Sequence, residues 1–462
     1  MKQKPLFILI ILLVLVSLAC GKFSLGKPTS TPEPTATKDI LPSATSEPTK
    51  LPTQPAPTDT PEVVEEPTQP PQQSQEGVKV DQVFFIQQET TLVYAFYVTN
   101  FEADSAYEDS EYDIVVYGEN DEILQTSYGY LSLLRANEKL GVVNTLYMDE
   151  GQVAKRVDIG FKPGEAVADN TSSPFEVDKV TFYADEYFPT ITCTLQNTSN
   201  KDITDVIVSA LAFDENGNFI GGGYTYQYFL LSGSTTGSTI SFYGAGTPAR
   251  VEVYPTLSGF SELRDVPTGT PEMIIDKMGT ALESNRVGLV FFVKNTLADK
   301  AIEGSYYQVT IFDGEGLVLG TTAGYVHTVL PGSLDPVYVD VFLPNNSVPD
   351  NYIVQVLSGE VIDPPYPTIP FTIKDIVYLP DDWSPSATGT LVNSLAEPVE
   401  GLSVVAVAYN EAGEIIGGGY SHVDVLPANG TLAIETWLTI SGDAATVEMY
   451  PLIASFTKVG GE

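Results

Sequence analysis

Few side chains in this sequence are of the types that carry out chemistry. There are two histidines, His327 and His422, and two cysteines, Cys20 and Cys193. Each histidine follows a Gly-Tyr pair by the same offset, in "GYVH" and "GYSH". A metal site or a general acid–base pair needs such groups to converge. Equivalent positions on neighbouring modules lie a module apart, so structural or surface roles are expected. A nucleophilic cysteine needs an exposed, activated thiolate, whereas Cys193 occupies a strand position that other copies of the same segment fill with Phe96 and Phe291. A buried, inert thiol is expected there.

Acidic turns such as "DENGN", Asp214 to Asn218, open like a calcium loop. They lack the remaining ligand spacing and the bidentate glutamate at its end. Hairpin formation accounts for them, and no cofactor is expected; calcium at inter-domain junctions is the one metal alternative. Carboxylate pairs for glycoside hydrolysis are not singled out by any feature. G-x-S-x-G, H-E-x-x-H, C-x-x-C and glycine-rich phosphate loops are all missing, so the expectation is a non-enzyme. Trp383, in the polar "LPDDWSPS" loop, is the one residue marked as a weak candidate ligand contact. Exposed, its indole would stack on a sugar ring or a partner; packing that closes the loop is the competing role, and the expected one.

With 60 acidic against 22 basic side chains the formal charge is −38. Such a surface repels nucleic acid and anionic headgroups alike, so nucleic acid is not an expected partner. The N-terminus, "MKQKPLFILIILLVLVSLACGK", has a short positive region at Lys2 and Lys4, an apolar run from Leu6 to Val16, and the site Ser17-Leu18-Ala19-Cys20. It resembles a bacterial lipoprotein signal, with Ser17 departing from the preferred aliphatic residue. The resemblance implies a signal peptide over residues 1–20, lipid on Cys20, and a place on the outer side of the cytoplasmic membrane or at the cell surface. An uncleaved signal anchor is the alternative, and both place the rest of the chain outside the cytoplasm. Residues 21–77 are rich in Pro and Thr, which denies them a helix or a hydrophobic face. A disordered linker lifting the remainder off the membrane is expected.

That remainder repeats. "VKVDQVFFI", "FEVDKVTFY", "MIIDKMGTA" and "FTIKDIVYL" are anchored on Val80, Val177, Ile275 and Ile373, and an asparagine follows each anchor at the same distance, at Asn100, Asn197, Asn295 and Asn393. Gly-Tyr pairs end at Tyr130, Tyr224, Tyr325 and Tyr420, and these tyrosines are expected to pack in the core. A longer period is also present: "FDENGNFIGGGY" and "VEVYP" of the second copy return as "YNEAGEIIGGGY" and "VEMYP" in the fourth. A two-module unit duplicated whole explains it. The boundaries set four repeats at 78–168, 173–262, 270–362 and 369–458.

Short alternating or β-branched runs and Asp/Asn-x-x-Gly turns predict strands and hairpins, and no helical period is sustained past the signal. The expected fold class is all-β, four tandem immunoglobulin-like sandwiches. A strand ending in Asn, a strand running into Phe-Asp or Tyr-Asn, a glycine turn and a later "LPG" resemble the FxLYD family of bacterial envelope proteins. The segments "IVVYG", "ALAFD", "VTIFD" and "AVAYN" lack that family's first Phe. The resemblance implies a module without catalytic chemistry. The functional expectation is a lipid-anchored spacer or interaction protein whose partner is an envelope protein or glycan. The alternative is a surface lipoprotein that captures glycan or peptide through its distal units.

Overall fold

The computed structural model describes residues 77–460 except 170, 186 and 382. The expectations for the signal segment, Cys20 and the Pro/Thr-rich linker lie outside the described residues. Among the described residues every regular element is a β-strand. The fold is all-β, built of separate antiparallel sheets, and strand pairing is confined within each repeat.

In repeat 1 one sheet runs Val78–Gln88, Thr91–Asn100, Lys139–Tyr147, and the other Ile123–Leu134, Ser105–Tyr117, Arg156–Lys162, with Glu165–Ala168 also on Ser105–Tyr117. The chain therefore crosses between sheets after its second, fourth and fifth strands. Repeat 2 repeats this order with Phe175–Tyr183, Thr190–Asn197 and Thr235–Ser241 in one sheet and Phe219–Leu230, Lys201–Phe213 and Arg250–Leu257 in the other. Its pairing continues past residue 262, because Leu263–Asp265 joins Lys201–Ile203. Met273–Glu283, Arg286–Asn295 and Leu334–Phe342, against Val318–Tyr325, Tyr306–Phe312 and Asn351–Leu357, build repeat 3. Phe371–Leu379, Ser386–Asn393 and Thr431–Trp437, against Ile415–Leu426, Val399–Tyr409 and Thr446–Val459, build repeat 4. A buried cluster is centred in each, around Phe96, Cys193, Phe291 and Leu391.

The recurring asparagines close each sandwich at one end. All four are buried. The Asn197 amide donates to Lys201 O and Leu230 O at 2.8 Å each, while its Oδ1 accepts from Ser199 N at 3.0 Å. Asn295 donates to Lys300 O and Val329 O, and Asn393 to Glu397 O and Pro427 O. One side chain thus satisfies two buried carbonyls and one loop N–H, tying the end of the second strand to the third and the fourth.

Two more apolar clusters bridge repeats. Val93, Ala95, Tyr97 and Val143 of repeat 1 bury themselves against Leu211 and Phe213 of repeat 2, with Phe84, Phe219 and Tyr254 around them. Val290 and Phe292 of repeat 3 meet Val405, Val407 and Leu452 of repeat 4, with Tyr409, Ile415 and Tyr450 around them. This explains why "LVYAFYV" and "GLVFFV" are continuous apolar runs rather than alternating ones. Both faces of those strands are covered.

The phrase repeated in the second and fourth copies is the docking face of the even-numbered member. Phe213 and Phe219 correspond to Tyr409 and Ile415 at the two junctions. A Cβ on Gly222 or Gly418 would first meet the carbonyl of its own sheet, Ala210 O or Ala406 O at 2.3 Å, and then the odd-numbered neighbour, Val143 at 3.2 Å or Val290 at 2.7 Å, so glycine serves both contacts. In the VE-x-YP segments Glu252 accepts from Tyr254 and Tyr97, and Glu448 accepts from Tyr450. The contact between repeats 2 and 3 has a different character: Thr and Gln side chains hydrogen-bond across it, Tyr228 packs on Tyr306 and Tyr325, and Tyr183 lies against the repeat 3 core.

Candidate functional site

The chemistry-bearing residues are dispersed. Cys193 is fully buried, and burial pushes its thiol up to about 12, which removes thiolate reactivity at neutral pH. His327 has an enclosed Nδ1 without a partner, and burial pushes the imidazole down to about 4. His422 lies on the strand Ile415–Leu426, half-exposed, with Nε2 at 3.5 Å from Asp424 and its ring 5.7 Å from that of Phe456. Among the described residues no group of three or more His, Cys, Asp or Glu side chains is placed to hold a metal ion.

The acidic turns are occupied by their own hairpins. Asp214 Oδ1 accepts from Asn216 N and Asn218 N at 2.9 and 2.8 Å, and Oδ2 accepts from the Asn218 amide at 2.9 Å. The Asn218 amide bond, chief among these, holds the carboxyl below its usual range. Gly217, Gly316 and Gly413 close their turns at φ +80°, +74° and +76°. In repeat 1 Asp121 takes that place at φ +58°, and Gly118 N still donates to Glu122 O, so the hairpin survives the missing glycine.

The Gly-Tyr tyrosines are not core residues. Tyr130 and Tyr325 are 60% and 56% exposed, Tyr420 is exposed as well, and Tyr224 is only partly buried. Strand alternation explains this: Gly129 lies opposite the buried Tyr112, whereas Tyr130 lies opposite the exposed Glu111. The glycine is the residue the core requires. A Cβ on Gly129 would collide with the Tyr112 ring, and one on Gly324 would sit 2.7 Å from the Tyr307 hydroxyl.

Trp383 does not close its loop by packing; it is 88% exposed. The loop is closed from below by Asp381, whose Oδ1 accepts from Trp383 N at 2.9 Å and Ser384 N at 3.0 Å. These backbone donors hold the Asp381 carboxyl below the usual range. Repeat 2 has the same device. Asp185, eight residues after Val177 as Asp381 is after Ile373, accepts from Tyr187 N and Phe188 N at 2.9 and 3.0 Å. Tyr187 and Phe188 are 75% and 81% exposed. The odd-numbered repeats have only two residues at this place, Glu89-Thr90 and Ser284-Asn285, and present no aromatic. Sequence reasoning missed Tyr187 and Phe188, although an Asp at the same offset with an aromatic two residues later was a readable signal.

Two exposed aromatic loops of this kind suit stacking on a planar or ring-shaped partner. Between repeats 2 and 3 there is also a shallow cleft of about 810 Å³, lined by Asp178, Lys179, Asp313 and Asp350 and by the apolar Val177, Phe312 and Ile353 among others. Lys179 crosses it, donating to Glu315 O and Gly316 O at 3.1 Å each.

No protein-family model matches this chain, and no curated protein matches it either. Among solved structures, dimeric latent PorU from Porphyromonas gingivalis is similar at 11% identity and a TM-score of 0.14. The alignment covers 83% of this chain, which spans 33% of that one.

Proposed function

We propose that this chain is a non-catalytic spacer or interaction protein of the bacterial cell envelope, anchored by lipid on Cys20 and carrying four immunoglobulin-like units related to the FxLYD modules. The units are repeats 1 to 4 at the boundaries given above, held off the outer side of the membrane by the Pro/Thr-rich segment. The observation that carries the reading is the docking of repeats in pairs through apolar sheet faces. A chain that invests its apolar surface in joining modules end to end is built to hold a shape and a reach. Its catalytic-type residues are buried or apart. Substituting Cys20→Ser should release the protein from the membrane fraction, with loss of the lipid mass on the N-terminal peptide. Retention of the variant in membranes would remove the lipid-anchor reading.

A second reading, capture of glycan or peptide, is favoured by the exposed Trp383 and its counterpart Tyr187-Phe188. An aspartate bonded to backbone N–H groups shapes each turn beneath its aromatic side chains. A glycan and peptide array should show binding that Trp383→Ala reduces several-fold. Equal signals from both proteins, or no signal, would leave the spacer reading alone.

A further inference from the structure

The strand that edges the first sheet has one register position in common in all four repeats. Gly141 lies opposite Tyr97, Gly237 opposite Thr194, Pro336 opposite Phe292 and Ala433 opposite Thr390, each facing the residue three before the recurring asparagine. An edge strand presents unpaired N–H and C=O groups that accept a further strand unless something blocks them. In repeat 1 Gly141 is covered by Tyr254 and Leu211 of repeat 2. In repeat 2 Gly237 N donates to Thr310 Oγ1 of repeat 3 at 2.9 Å. In repeat 3 Pro336 has no N–H to offer. Ala433 of repeat 4 has none of these protections.

Thr431–Trp437 is the outermost strand of the sheet it forms with Phe371–Leu379 and Ser386–Asn393. Asn393 N donates to Gly430 O at 3.0 Å, so Gly430, Leu432 and Ile434 are the residues that bond inward in this antiparallel ladder. The N–H and C=O groups of Thr431, Ala433 and Glu435 therefore point to the open edge, and no described residue bonds to them. Along that edge runs the seam between the two sheets, a groove of about 440 Å³. Val423, Val425, Leu432 and Ile434 line it, with Asp424 and Glu435 among its charged groups and no Lys or Arg. The seam is pinned where Ser421 Oγ and Thr436 Oγ1 stand 2.7 Å apart. Beyond that point it opens: Leu432 packs on the core only in part, and Val425 is 50% exposed.

We infer that the open edge of repeat 4 takes an extended, basic segment of another protein as an added strand. The occupant is extended because what the edge offers is a row of backbone groups, which bond a strand by main-chain contacts. Its alternate apolar side chains cover Val425 and Leu432. It is basic because the carboxylates of Asp424 and Glu435 border the groove, with only His422 beside Asp424 to offset them, on a chain of formal charge −38. A folded module seated as repeat 3 sits on repeat 2 does not fit. A Cβ on Gly237 would meet Thr310 at 2.4 Å, and Ala433 carries that Cβ. Trp383 does not line this groove, so binding here and stacking on the aromatic loop are separate events.

The test is fluorescence anisotropy of the full chain in detergent with a labelled octapeptide of alternating lysine and valine. The peptide should bind saturably, and several-fold more weakly once salt screens the carboxylates. Methylating every backbone amide of the peptide keeps its charge and side chains but removes its donors, and should abolish binding. A glutamate and valine peptide should not bind. On the protein, Asp424→Lys should weaken binding several-fold. Ala433→Pro should reduce it at least tenfold while leaving the denaturation midpoint of repeat 4 in place, since it removes only an outward N–H and copies Pro336 of repeat 3. No binding of the lysine and valine peptide, or equal binding of its methylated form to the unsubstituted chain, would overturn the inference. So would undiminished binding to a folded Ala433→Pro protein.

Discussion

At the scale of single residues, the asparagine that closes each repeat does more than any side chain with catalytic potential. Asn197→Asp keeps the shape but turns two donors into acceptors facing Lys201 O and Leu230 O. The buried Leu230 O loses this donor while Lys201 O keeps the Ser199 hydroxyl, so a loss of about 1–3 kcal/mol is expected, read as a lowered denaturation midpoint of the transition that contains repeat 2. Titration offers a second residue-scale test. His327 is held down to about 4 by burial, while Asp335, half-buried with the Ser333 hydroxyl donating to it at 3.2 Å, is pushed up to about 6 by burial. The unfolded chain protonates this histidine near 6.5, so its contribution to stability is present above that pH and lost as the pH falls towards 4. Asp335 acts with the opposite sign, because its native state holds the proton: its contribution is full below 3.8 and is lost as the pH rises through about 6. Melting temperatures across this window should fall more steeply on acidification in Asp335→Asn than in the parent, and less steeply in His327→Gln. Identical slopes in all three proteins would contradict the assignment.

At the scale of elements, strands and hairpins were readable because two-residue alternation and Asp-x-x-Gly turns are local properties. The side chain that matters within a motif was less readable. "Gly-Tyr" drew attention to the tyrosine, since large aromatics usually mark a core. The strand Ile123–Leu134 shows the reverse, for the glycine makes room for Tyr112 while Tyr130 faces solvent. Tyr130→Ser should accordingly change stability by no more than about 0.5 kcal/mol, whereas Gly129→Ala should cost about 1–3 kcal/mol by displacing a packed ring. Thermal denaturation of the two variants decides between them. Trp383 was singled out, but its expected role in closing the loop failed for a related reason. Whether an indole caps a loop or stands clear of it depends on what supports the turn, and the Asp381 carboxylate does that work through backbone N–H groups alone. The Asp185 counterpart was readable from its offset and the aromatic two residues later, but its aromatics differ in type from Trp383 and it was passed over.

At the scale of the whole chain, the longer period visible in the sequence has a physical cause in the unequal junctions. Six residues are buried in the cluster between repeats 1 and 2, and Phe84 packs edge-on or stacked against Tyr97, Phe213 and Phe219 at 5.5–5.7 Å. Burial of aliphatic or aromatic side chains contributes about 1.5–3 kcal/mol each, so this junction outweighs that between repeats 2 and 3, where hydrogen bonds of about 0.5–1.5 kcal/mol each are joined only by the partly exposed rings of Tyr183, Tyr228, Tyr306 and Tyr325. The chain should therefore unfold as two coupled pairs, giving two calorimetric transitions rather than one or four. Leu211→Asp places a charge on the buried face between repeats 1 and 2, where it has no partner. It should split one transition into two and leave the other, from repeats 3 and 4, at its original temperature. Val405→Asp should do the converse. If either substitution moved both transitions together, the polar junction would be as strong as the apolar ones, and the pairing of repeats would lose its energetic basis.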